Sequence, residues 1–437
     1  MNYLLFSELA YNLEITNESQ LSLNINHNYS KYENREETMV KFAHLADCHL
    51  GSWRQEELQE LNFRSFQKVI ERCIMEGVEF VLISGDLFDS TYPPIDILKE
   101  SFAEFKKLYD AKIPVYIIAG SHDFSSSGKT FLDVLEKVGF CKNIEDWEKQ
   151  EDGRLKLKPY MHGQIAIYGY PGRKSGMEID DLSKIYFDSI NSFTIFMIHT
   201  TIKDVVGTIP MDSVEKHKLP LANYYAMGHI HQRFETHEAN SHYVYPGPTF
   251  PNNFQELVDL QCGSFQLVEI IDGNVKTQNI TIPIKEVVYL EINIDNGLTA
   301  TQEIIEKLDR VSLSDKIVLM KLKGNLTQGK TGDIHFSEIE EFINKKEAYS
   351  FLKNISSLKT QVTEFEIESL STDNVESIEK QILDNYTAKN PTNFNKYLPQ
   401  LMSTLSIEKN EDEKSIIYEN RLLSDLKSIL EIEEVLV

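Results

Sequence analysis

The sequence predicts an α/β protein in which a mainly parallel sheet carries helices on its faces. Two observations predict this fold class. Short, wholly apolar runs such as residues 80–83 and 114–119 alternate with stretches of helical period, as the strands and helices of a buried parallel sheet do. His and Asp residues follow several of these runs, and the carboxyl ends of parallel strands are where such sheets bind ligands.

The elements follow in order from residue 40, and their periods assign each of them to a strand or a helix. The first half alternates strands at 40–46, 80–83 and 114–119 with helices at 56–76 and 95–109. After about residue 140, short strands become frequent, at 164–169, 193–198, 224–227, 242–245 and 264–270. These later strands fit a second sheet packed on the first, which gives a four-layer α/β/β/α sandwich.

The rest of the chain predicts a small α+β module and a helical tail. Pro283 would interrupt a strand ladder and marks a boundary. A strand at 288–294, a helix at 300–310 and a strand at 316–323 follow, and 324–333 has the composition of a turn. Three apolar stripes of helical period then occupy the tail, and their period alone leaves open whether they pack on their own domain or dock a partner.

These patterns divide the chain into four parts. We expect a poorly ordered extension at 1–38, with Met39 as an alternative start, a main domain at 39–280, the α+β module as a capping domain at 281–370, and the helical region at 371–437.

Composition limits how this protein can meet its partners. The chain of 437 residues has 44 Lys and Arg against 68 Asp and Glu, a formal charge of -24. The net negative charge of such a protein does not attract nucleic acid. A polyanion must therefore bind through metal ions, a local basic patch or a partner. The scattered cysteines Cys48, Cys73, Cys141 and Cys262 predict reduced thiols and a cytoplasmic location. No apolar run in the sequence is long enough to predict a membrane span.

The residues at the predicted strand ends are those that a two-metal hydrolytic site needs. Two divalent cations about 3.5–4 Å apart activate water and neutralise charge on a phosphodiester, and a carboxylate bridges them. Asp86, after Gly85 and a buried strand, is placed to bridge. The other candidate ligands are Asp47, His49, His199, His229 and His231. This mixed shell suits Mn, Fe, Zn or Co better than Ca or Mg. His122 need not be a ligand, and two roles stay open for it: protonating the leaving oxygen or stabilising charge on the transition state. Each of these residues or short motifs alone is typical of a structural role. The prediction of a metal site therefore depends on finding all of them together at strand ends.

The ordered motifs resemble a known superfamily. D-x-H at Asp47, G-D-x-x-D at Gly85, G-S-H-D at Gly120, the lone His199 and G-H-x-H at Gly228 resemble the calcineurin-like metallophosphoesterases. The sequence 47–51 and the Tyr-Pro-Gly at 245–247 resemble the SbcD-type DNA-repair nucleases, whose archaeal and eukaryotic relatives process double-strand breaks. The resemblance covers about residues 39–275.

The resemblance implies a role for each motif residue. Asp47, His49 and His231 would hold one ion and His199 and His229 the second, with Asp86 bridging. His122 would be the catalytic histidine and Asp123 would orient it. The resemblance also implies a homodimeric, nucleoid-associated nuclease with two Mn²⁺ ions, 3′-to-5′ exonuclease and single-strand endonuclease activity. Its partners would be DNA and an SMC-like ATPase of the SbcC type, gripped by the C-terminal helices.

Two residues depart from the pattern of the superfamily. Ser121 stands where Asn usually ligates the second ion. Its shorter hydroxyl leaves open whether it binds that ion directly. Asp89 stands where some relatives have His. Two alternatives therefore stay open: a phosphoesterase acting on small phosphodiesters or phosphoproteins, and a scaffold subunit with weakened catalysis. The additional module and the helical tail disfavour the first, because a small substrate needs neither.

Overall fold

A computed structural model describes most of the chain. The described residues are 39–124, 130–173, 178–188, 190–207 and 211–360, and then 383–384, 387, 392, 394–407, 409 and 415–430. The predicted extension at 1–38 and the first predicted stripe of the tail (Val375, Ile378, Ile382 and Tyr386) lie outside these residues.

The elements are numbered here in chain order. The strands are β1 Met39–Leu45, β2 Phe80–Ser84, β3 Val115–Ile118, β4 Lys142–Asn143, β5 Trp147–Lys149, β6 Leu155–Leu157, β7 Tyr160–His162, β8 Ile165–Tyr170, β9 Ile185–Tyr186, β10 Phe193–His199, β11 Tyr224–Gly228, β12 Arg233–Glu238, β13 Ser241–Pro246, β14 Gly263–Ile271, β15 Asn274–Ile282, β16 Val287–Asn293, β17 Ile317–Leu326 and β18 Ser350–Thr360. The helices are α1 Glu56–Glu76, α2 Ile95–Asp110, α3 Phe131–Lys137, α4 Glu178–Leu182, α5 Lys203–Val206, α6 Phe254–Leu260, α7 Ala300–Asp309, α8 Phe336–Lys345, α9 Leu398–Leu405 and α10 Ser415–Leu430, with 3₁₀ turns at Lys216–Lys218, Thr331–Asp333 and Asn395–Tyr397.

Two large sheets form the centre of the first part of the chain. Within the described residues, the first sheet has the order β15-β14-β1-β2-β3-β4 and the second has the order β12-β13-β11-β10-β8-β7. The strands β1, β2, β3 and β4 run parallel in the first sheet, as do β8, β10, β11 and β13 in the second. Antiparallel strands complete both sheets.

Three apolar layers hold these sheets together. Phe66 of α1 and Phe105 of α2 pack with the outer face of the first sheet. Phe42 and Tyr224 lie in the core between the two sheets. The outer face of the second sheet is covered by short elements, including α4 and the small sheet β5-β6-β9. The predicted α/β/β/α sandwich is confirmed, with a fourth layer built from short helices and this small sheet.

The boundaries of the first elements agree closely with the prediction. The helix predicted at 56–76 is α1, which begins with acidic residues and ends at Gly77. Gly77 has a φ of 61° and caps the helix in the left-handed conformation that glycine adopts without strain. The predicted strand end at 323 was wrong, because β17 continues through Gly324 to Leu326 and pairs there with β18.

The residues after Pro283 form a three-stranded module. Its parallel sheet has the order β16-β17-β18, and α7 and α8 pack on one face of it around Ile304 and Ile339. Ile317 and Leu319 on the other face join a core with Trp53, Leu58 and Leu257. The module and the two large sheets belong to one compact unit, which extends to Gln361. The boundary predicted at residue 281 stays a prediction.

The second compact unit begins at Val362. The second predicted stripe (Phe394, Leu398, Leu401, Met402 and Leu405) agrees from Leu398 onward with α9, and the third (Ile416, Leu422, Leu423, Leu426, Ile429 and Leu430) agrees with α10. The two helices contact each other. Leu405 and Leu423 remain exposed in this unit. In the part of the chain that the structure describes, we find no helix long and apolar enough to cross a membrane.

Candidate metal centre

The predicted ligands meet at the carboxyl ends of the parallel strands of both sheets. Asp47 and His49 follow β1, Asp86 follows β2, and Ser121 and His122 come shortly after β3. From the second sheet, His199 ends β10, and His229 and His231 follow β11. The two sheets face each other, so their strand ends deliver both sets of side chains to one place.

The backbone at this place is strained in a specific way. Asp47, His49, Asp86 and His229 have φ values of 53°, 43°, 51° and 90°. Such left-handed conformations are unfavourable for residues other than glycine, by about 1–3 kcal/mol each. Hydrogen bonds hold them in place: the N–H of His49 donates to Asp86 O at 3.0 Å, and the N–H of His229 donates to Asp47 Oδ1 at 2.9 Å. The loops therefore hold the side chains in fixed directions before any ion binds.

A first group of ligand atoms comes from Asp47, His49 and His231. The Nε2 atoms of His49 and His231 lie 3.0 Å apart, and His231 Nε2 is 3.8 Å from Asp47 Oδ1. One ligand atom from each of the three residues lies within 4.8 Å of the others. These residues are placed to share one ion.

A second group comes from Asp47, Asp86 and His199, which meet the same distance limit. Asp86 Oδ2 lies 3.1 Å from His199 Nε2 and 3.6 Å from His49 Nε2. The carboxylate of Asp86 is thus placed between the two groups, where a bridging ligand is needed.

His229 lies at the edge of these groups. Its ring packs against that of His199 with 5.1 Å between the centroids. Within the described residues, its ring nitrogens do not belong to a group of ligand atoms that are all within 4.8 Å of one another. The predicted ligand role of His229 stays a prediction.

Three histidines of the centre, His49, His199 and His231, are held by their Nδ1 atoms. His49 donates to Asp89 Oδ1 at 3.1 Å, His231 donates to Glu256 Oε1 at 2.9 Å, and His199 donates to Ser84 O at 2.9 Å. An imidazole that donates from Nδ1 presents Nε2 as a free lone pair. Their Nε2 atoms are therefore the ones placed to bind an ion.

Ser121 and His122 contact the bridging carboxylate from the β3 side. The Ser121 hydroxyl donates to Asp86 Oδ2 at 3.3 Å, and the His122 N–H donates to Asp86 Oδ1 at 2.8 Å. The His122 ring donates from Nδ1 to Asp89 O at 2.7 Å, and its side chain is 45% exposed. The ring packs edge-on against His49, with 4.7 Å between the centroids.

Asp123 lies behind the centre and binds backbone. Its buried carboxylate accepts the N–H groups of Leu87, Phe88 and Gly120 at 3.0–3.1 Å. Burial, followed by the charge of Asp86, raises the pKa of Asp123 to about 6. Asp123 thus ties the loop after β2 to the loop after β3, and its predicted effect on His122 would act through this backbone.

The charges of the centre reinforce one another. Burial disfavours the charged forms of His199 and Asp86. The attraction of these two groups for each other and for their other neighbours is larger and favours the charged forms. Asp86 raises the pKa of His199 to about 10, and the facing histidines hold the pKa of Asp86 well below its usual range. Burial and the charge of His199 lower the pKa of His229 to about 4. A bound cation would take the place of the protons on such histidines.

The residues present fit a metal centre. His199 Nε2 is buried and makes no hydrogen bond within the part of the chain that the structure describes. Glycines allow the loops to approach closely: a Cβ at Gly228 would lie 2.1 Å from Ser84 O, and one at Gly120 would lie 2.2 Å from Asp86 Oδ1. The buried imidazole nitrogens and carboxylate oxygens form a donor set that suits divalent transition metals.

Comparisons with known proteins agree with this geometry. The family model of the calcineurin-like phosphoesterases matches residues 40–233. The DNA double-strand break repair protein Mre11 of Methanocaldococcus jannaschii is 30% identical over 297 residues, which are 65% of this chain and 77% of that protein. The chain belongs to the Mre11 family.

Other similar proteins agree with membership of the Mre11 family. The DNA double-strand break repair protein Mre11 of Sulfolobus acidocaldarius is 27% identical, with 74% of this chain and 85% of that protein covered. The metallophosphoesterase YhaO of Bacillus subtilis is 26% identical, with 54% of this chain and 59% of that protein covered. A solved dimetal phosphatase from Danio rerio shows only a weak likeness, with a TM-score of 0.36 and 11% identity over 56% of this chain and 98% of that chain.

Membership of the Mre11 family confirms the resemblance that the motifs indicated. It makes the chain a metal-dependent phosphoesterase, which is a hydrolase that requires divalent ions. The role of each individual ligand stays a prediction.

The sequence did not predict the contacts that two carboxylates make with the histidines. Asp89 belongs to a recognised motif, so its position beside His49 could have been inferred. Glu256 lies on α6, after the last motif, and contacts His231 through the fold alone. No local pattern marks it.

A cavity of about 740 Å³ opens beside the centre. Ser121, His122, His229, Arg173 and Glu178 are among the residues that line it. A substrate in this cavity would reach the exposed ring of His122 and the ligand atoms together.

Proposed function

We propose that this protein is a two-metal DNA nuclease that processes DNA ends in double-strand-break repair. It acts as a 3′-to-5′ exonuclease and a single-strand endonuclease, with two Mn²⁺ ions. The observation that carries this proposal is the position of Asp86, whose Oδ2 atom lies between His199 Nε2 at 3.1 Å and His49 Nε2 at 3.6 Å. A carboxylate so placed is what two adjacent cations need.

The proposed ligand sets start from two groups of atoms: the first is kept whole, and in the second His229 takes the place of Asp47. Asp47, His49 and His231 would hold one ion, His199 and His229 would hold the other, and Asp86 would contact both. When bound, the ions supply an activated water and neutralise charge on the attacking and leaving oxygens.

His122 supplies the proton to the leaving oxygen in this proposal. Its Nδ1 atom is occupied by Asp89 O, so the Nε2 atom is the one left for a substrate. Its exposure at the cavity supports this role. Asp123 contributes by fixing the backbone of the loop that carries His122.

DNA is the substrate that the relatives support. The two archaeal proteins named above are DNA double-strand break repair proteins. The net charge of -24 is compatible with DNA if the ions and a partner share the contacts with its phosphates. A nuclease acting on chromosomal ends would work at the nucleoid.

The function is tested by assaying Mn²⁺-dependent release of nucleotides from duplex DNA and from a small phosphodiester side by side. We expect release from DNA that starts at 3′ ends and disappears in the Asp86→Asn variant. Hydrolysis of the small phosphodiester alone would instead establish the small-substrate phosphoesterase.

Ser121 supports a second candidate, a scaffold subunit with weakened catalysis. Its hydroxyl is engaged with Asp86, which leaves the second ion without the amide oxygen that an asparagine would offer. If the wild-type protein were inactive and Ser121→Asn were active, the scaffold would be the better description. We expect instead that the wild type is active and that Ser121→Asn binds its weaker ion more tightly.

The remaining parts of the chain have proposed roles in assembly. We assign the residues at 281–370 to a capping domain that contacts DNA, and those at 371–437 to binding an SMC-like ATPase of the SbcC type. The exposed Leu405 and Leu423 in the tail support a docking role. We also propose a homodimer, which sedimentation of the purified protein would test.

A further inference from the structure

We propose that Glu256 is a positioning residue for the metal centre, and that the three-stranded module holds Glu256 in place by packing on α6. The inference rests on the proposed role of His231 as a metal ligand. It adds a residue that no motif contains and a connection between the module and the site.

The contact between Glu256 and His231 is direct. Glu256 Oε1 accepts the Nδ1–H of His231 at 2.9 Å, on the side of the ring opposite Nε2. Nε2 is the atom that lies 3.0 Å from His49 Nε2. A carboxylate behind a ligand imidazole fixes its tautomer and orientation and makes it more basic, and losing such a partner weakens metal binding by about 10–100-fold.

Glu256 is itself held by its surroundings. Oε2 accepts the N–H of Asn252 at 2.7 Å, and Oε1 also accepts from Asn253 Nδ2 at 2.6 Å. Asn253 in turn caps α6, because its side chain accepts the N–H of Glu256. The carboxylate therefore has little freedom to turn away from His231.

The module packs on other residues of the same helix. Phe254, Leu257 and Val258 of α6 belong to the core that contains Ile317, Leu319 and Leu352 of the module. Glu256 thus lies on a short helix that contacts the metal ligand through one residue and the module through others. Moving the module would move α6 and loosen His231.

The first experiment compares Mn²⁺ binding to Glu256→Gln and Glu256→Ala with the wild type, using the electron paramagnetic resonance of free Mn²⁺ and the visible spectrum of bound Co²⁺. We expect one binding step to weaken about 10–100-fold in Glu256→Ala and less in Glu256→Gln, which keeps an acceptor oxygen. The Co²⁺ spectrum should change with the same step. Asp259→Asn, which removes a charge from an exposed position of α6, should bind as the wild type does.

Two outcomes would overturn the role of Glu256. One is wild-type binding of Mn²⁺ by both variants; the other is equal weakening by Asp259→Asn, which would indicate a charge effect alone. If Glu256→Ala fails to fold, Glu256→Gln decides in the same way. The variant His231→Ala separates this inference from the proposed function: unchanged Mn²⁺ binding by that variant would contradict the ligand role itself.

The second experiment tests the connection to the module with matched truncations. Leu352 and Leu290 are both partly buried leucines of the module, but Leu352 packs with the α6 core and Leu290 with α7 and α8. We expect Leu352→Ala to weaken the Mn²⁺ step that Glu256→Ala weakens, and Leu290→Ala to leave it unchanged at a similar loss of stability. Equal effects of the two truncations would contradict the connection.

Discussion

His122 is more exposed than His49 and His199, two of the histidines proposed as ligands, whereas His229 is exposed as His122 is. Its side chain is 45% exposed, whereas those of His49 and His199 are 2% and 0% exposed. A group that exchanges a proton with a substrate must be reached from the cavity, while a ligand is better protected from water. The occupied Nδ1 atom, which leaves Nε2 for a substrate at the cavity, favours a chemical role for His122.

Replacing His122 with alanine should therefore separate chemistry from metal binding. We expect His122→Ala to keep both ions and to lower kcat by about 10²–10⁴-fold, as the loss of a general acid does. Metal content by mass spectrometry and kcat on DNA measure the two effects. Loss of an ion in this variant would make His122 a ligand instead.

Glu145 offers a test of the electrostatics beside the centre. Its carboxylate accepts the N–H of Ala119 at 2.5 Å, just after β3, and burial raises its pKa to about 7. Because this folded-state pKa is above the ordinary value of 4.5, the charged carboxylate destabilises the fold. That destabilisation begins as the pH rises above the unfolded pKa and is complete above the folded one.

Glu145→Gln should thus stabilise the protein in a pH-dependent way. We expect its free energy of unfolding to exceed that of the wild type by on the order of 1 kcal/mol at pH 8, a figure reduced because the side chain is partly exposed. At pH 4 the difference should vanish. Urea unfolding at several pH values measures it, and a difference that does not grow with pH would contradict the account.

At the scale of elements, the site depends on loops that approach one another closely. Gly120 follows β3, and a Cβ there would lie 2.2 Å from Asp86 Oδ1 and 2.3 Å from Asp86 N. These distances are far below van der Waals contact, and Asp86 is the proposed bridge. The space beside Gly120 is therefore already occupied by Asp86.

A methyl group at Gly120 should displace Asp86. We expect Gly120→Ala to lose at least one Mn²⁺ ion and to be destabilised by about 1–3 kcal/mol, as overpacking typically does. Gly332→Ala is the matched control, because a Cβ there meets nothing within 4 Å. Calorimetric titration with Mn²⁺ and thermal unfolding measure both effects. Wild-type binding by Gly120→Ala would contradict the placement of Asp86.

The elements that the sequence predicted are those with an unambiguous period. The buried residues of the helix α1 and the strands β1 to β3 are mostly apolar, so their pattern identifies these elements. The strand β15 was missed because it lies at a sheet edge and alternates polar residues such as Lys276 and Gln278 with partly buried ones. Helix α8 and strand β18 follow a stretch with turn composition and were not assigned for that reason.

The sequence predicted the candidate ligand residues, but it did not predict the residues that hold those ligands in position. Asp47 and His199 follow apolar strands, and the sequence shows that directly. The link from Glu256 to His231 depends on where α6 lies in space, which no local pattern records. The sequence also could not show that the Ser121 hydroxyl donates to Asp86, because that contact depends on how close the two loops lie.

At the scale of the whole molecule, the proposed chemistry and the proposed docking lie in different units. The ligand residues lie in the first compact unit, and α9 and α10 lie in the second. Exposed apolar residues such as Leu405 and Leu423 in the second unit favour a partner rather than a role in hydrolysis.

Removing the second unit should separate these functions. We expect truncation at about residue 370 to leave hydrolysis of simple DNA ends unchanged and to abolish association with the SMC-like ATPase. Co-purification with the ATPase and an exonuclease assay measure the two effects. A truncated protein that still co-purified with the ATPase would refute the docking role.

The central claim is that two metal ions lie on either side of Asp86. Anomalous scattering from crystals soaked in Mn²⁺ tests it directly. The account predicts two peaks, one beside Asp47, His49 and His231 and the other beside His199 and His229, both in contact with the carboxylate of Asp86. A single peak, or peaks that leave Asp86 without a metal contact, would contradict it.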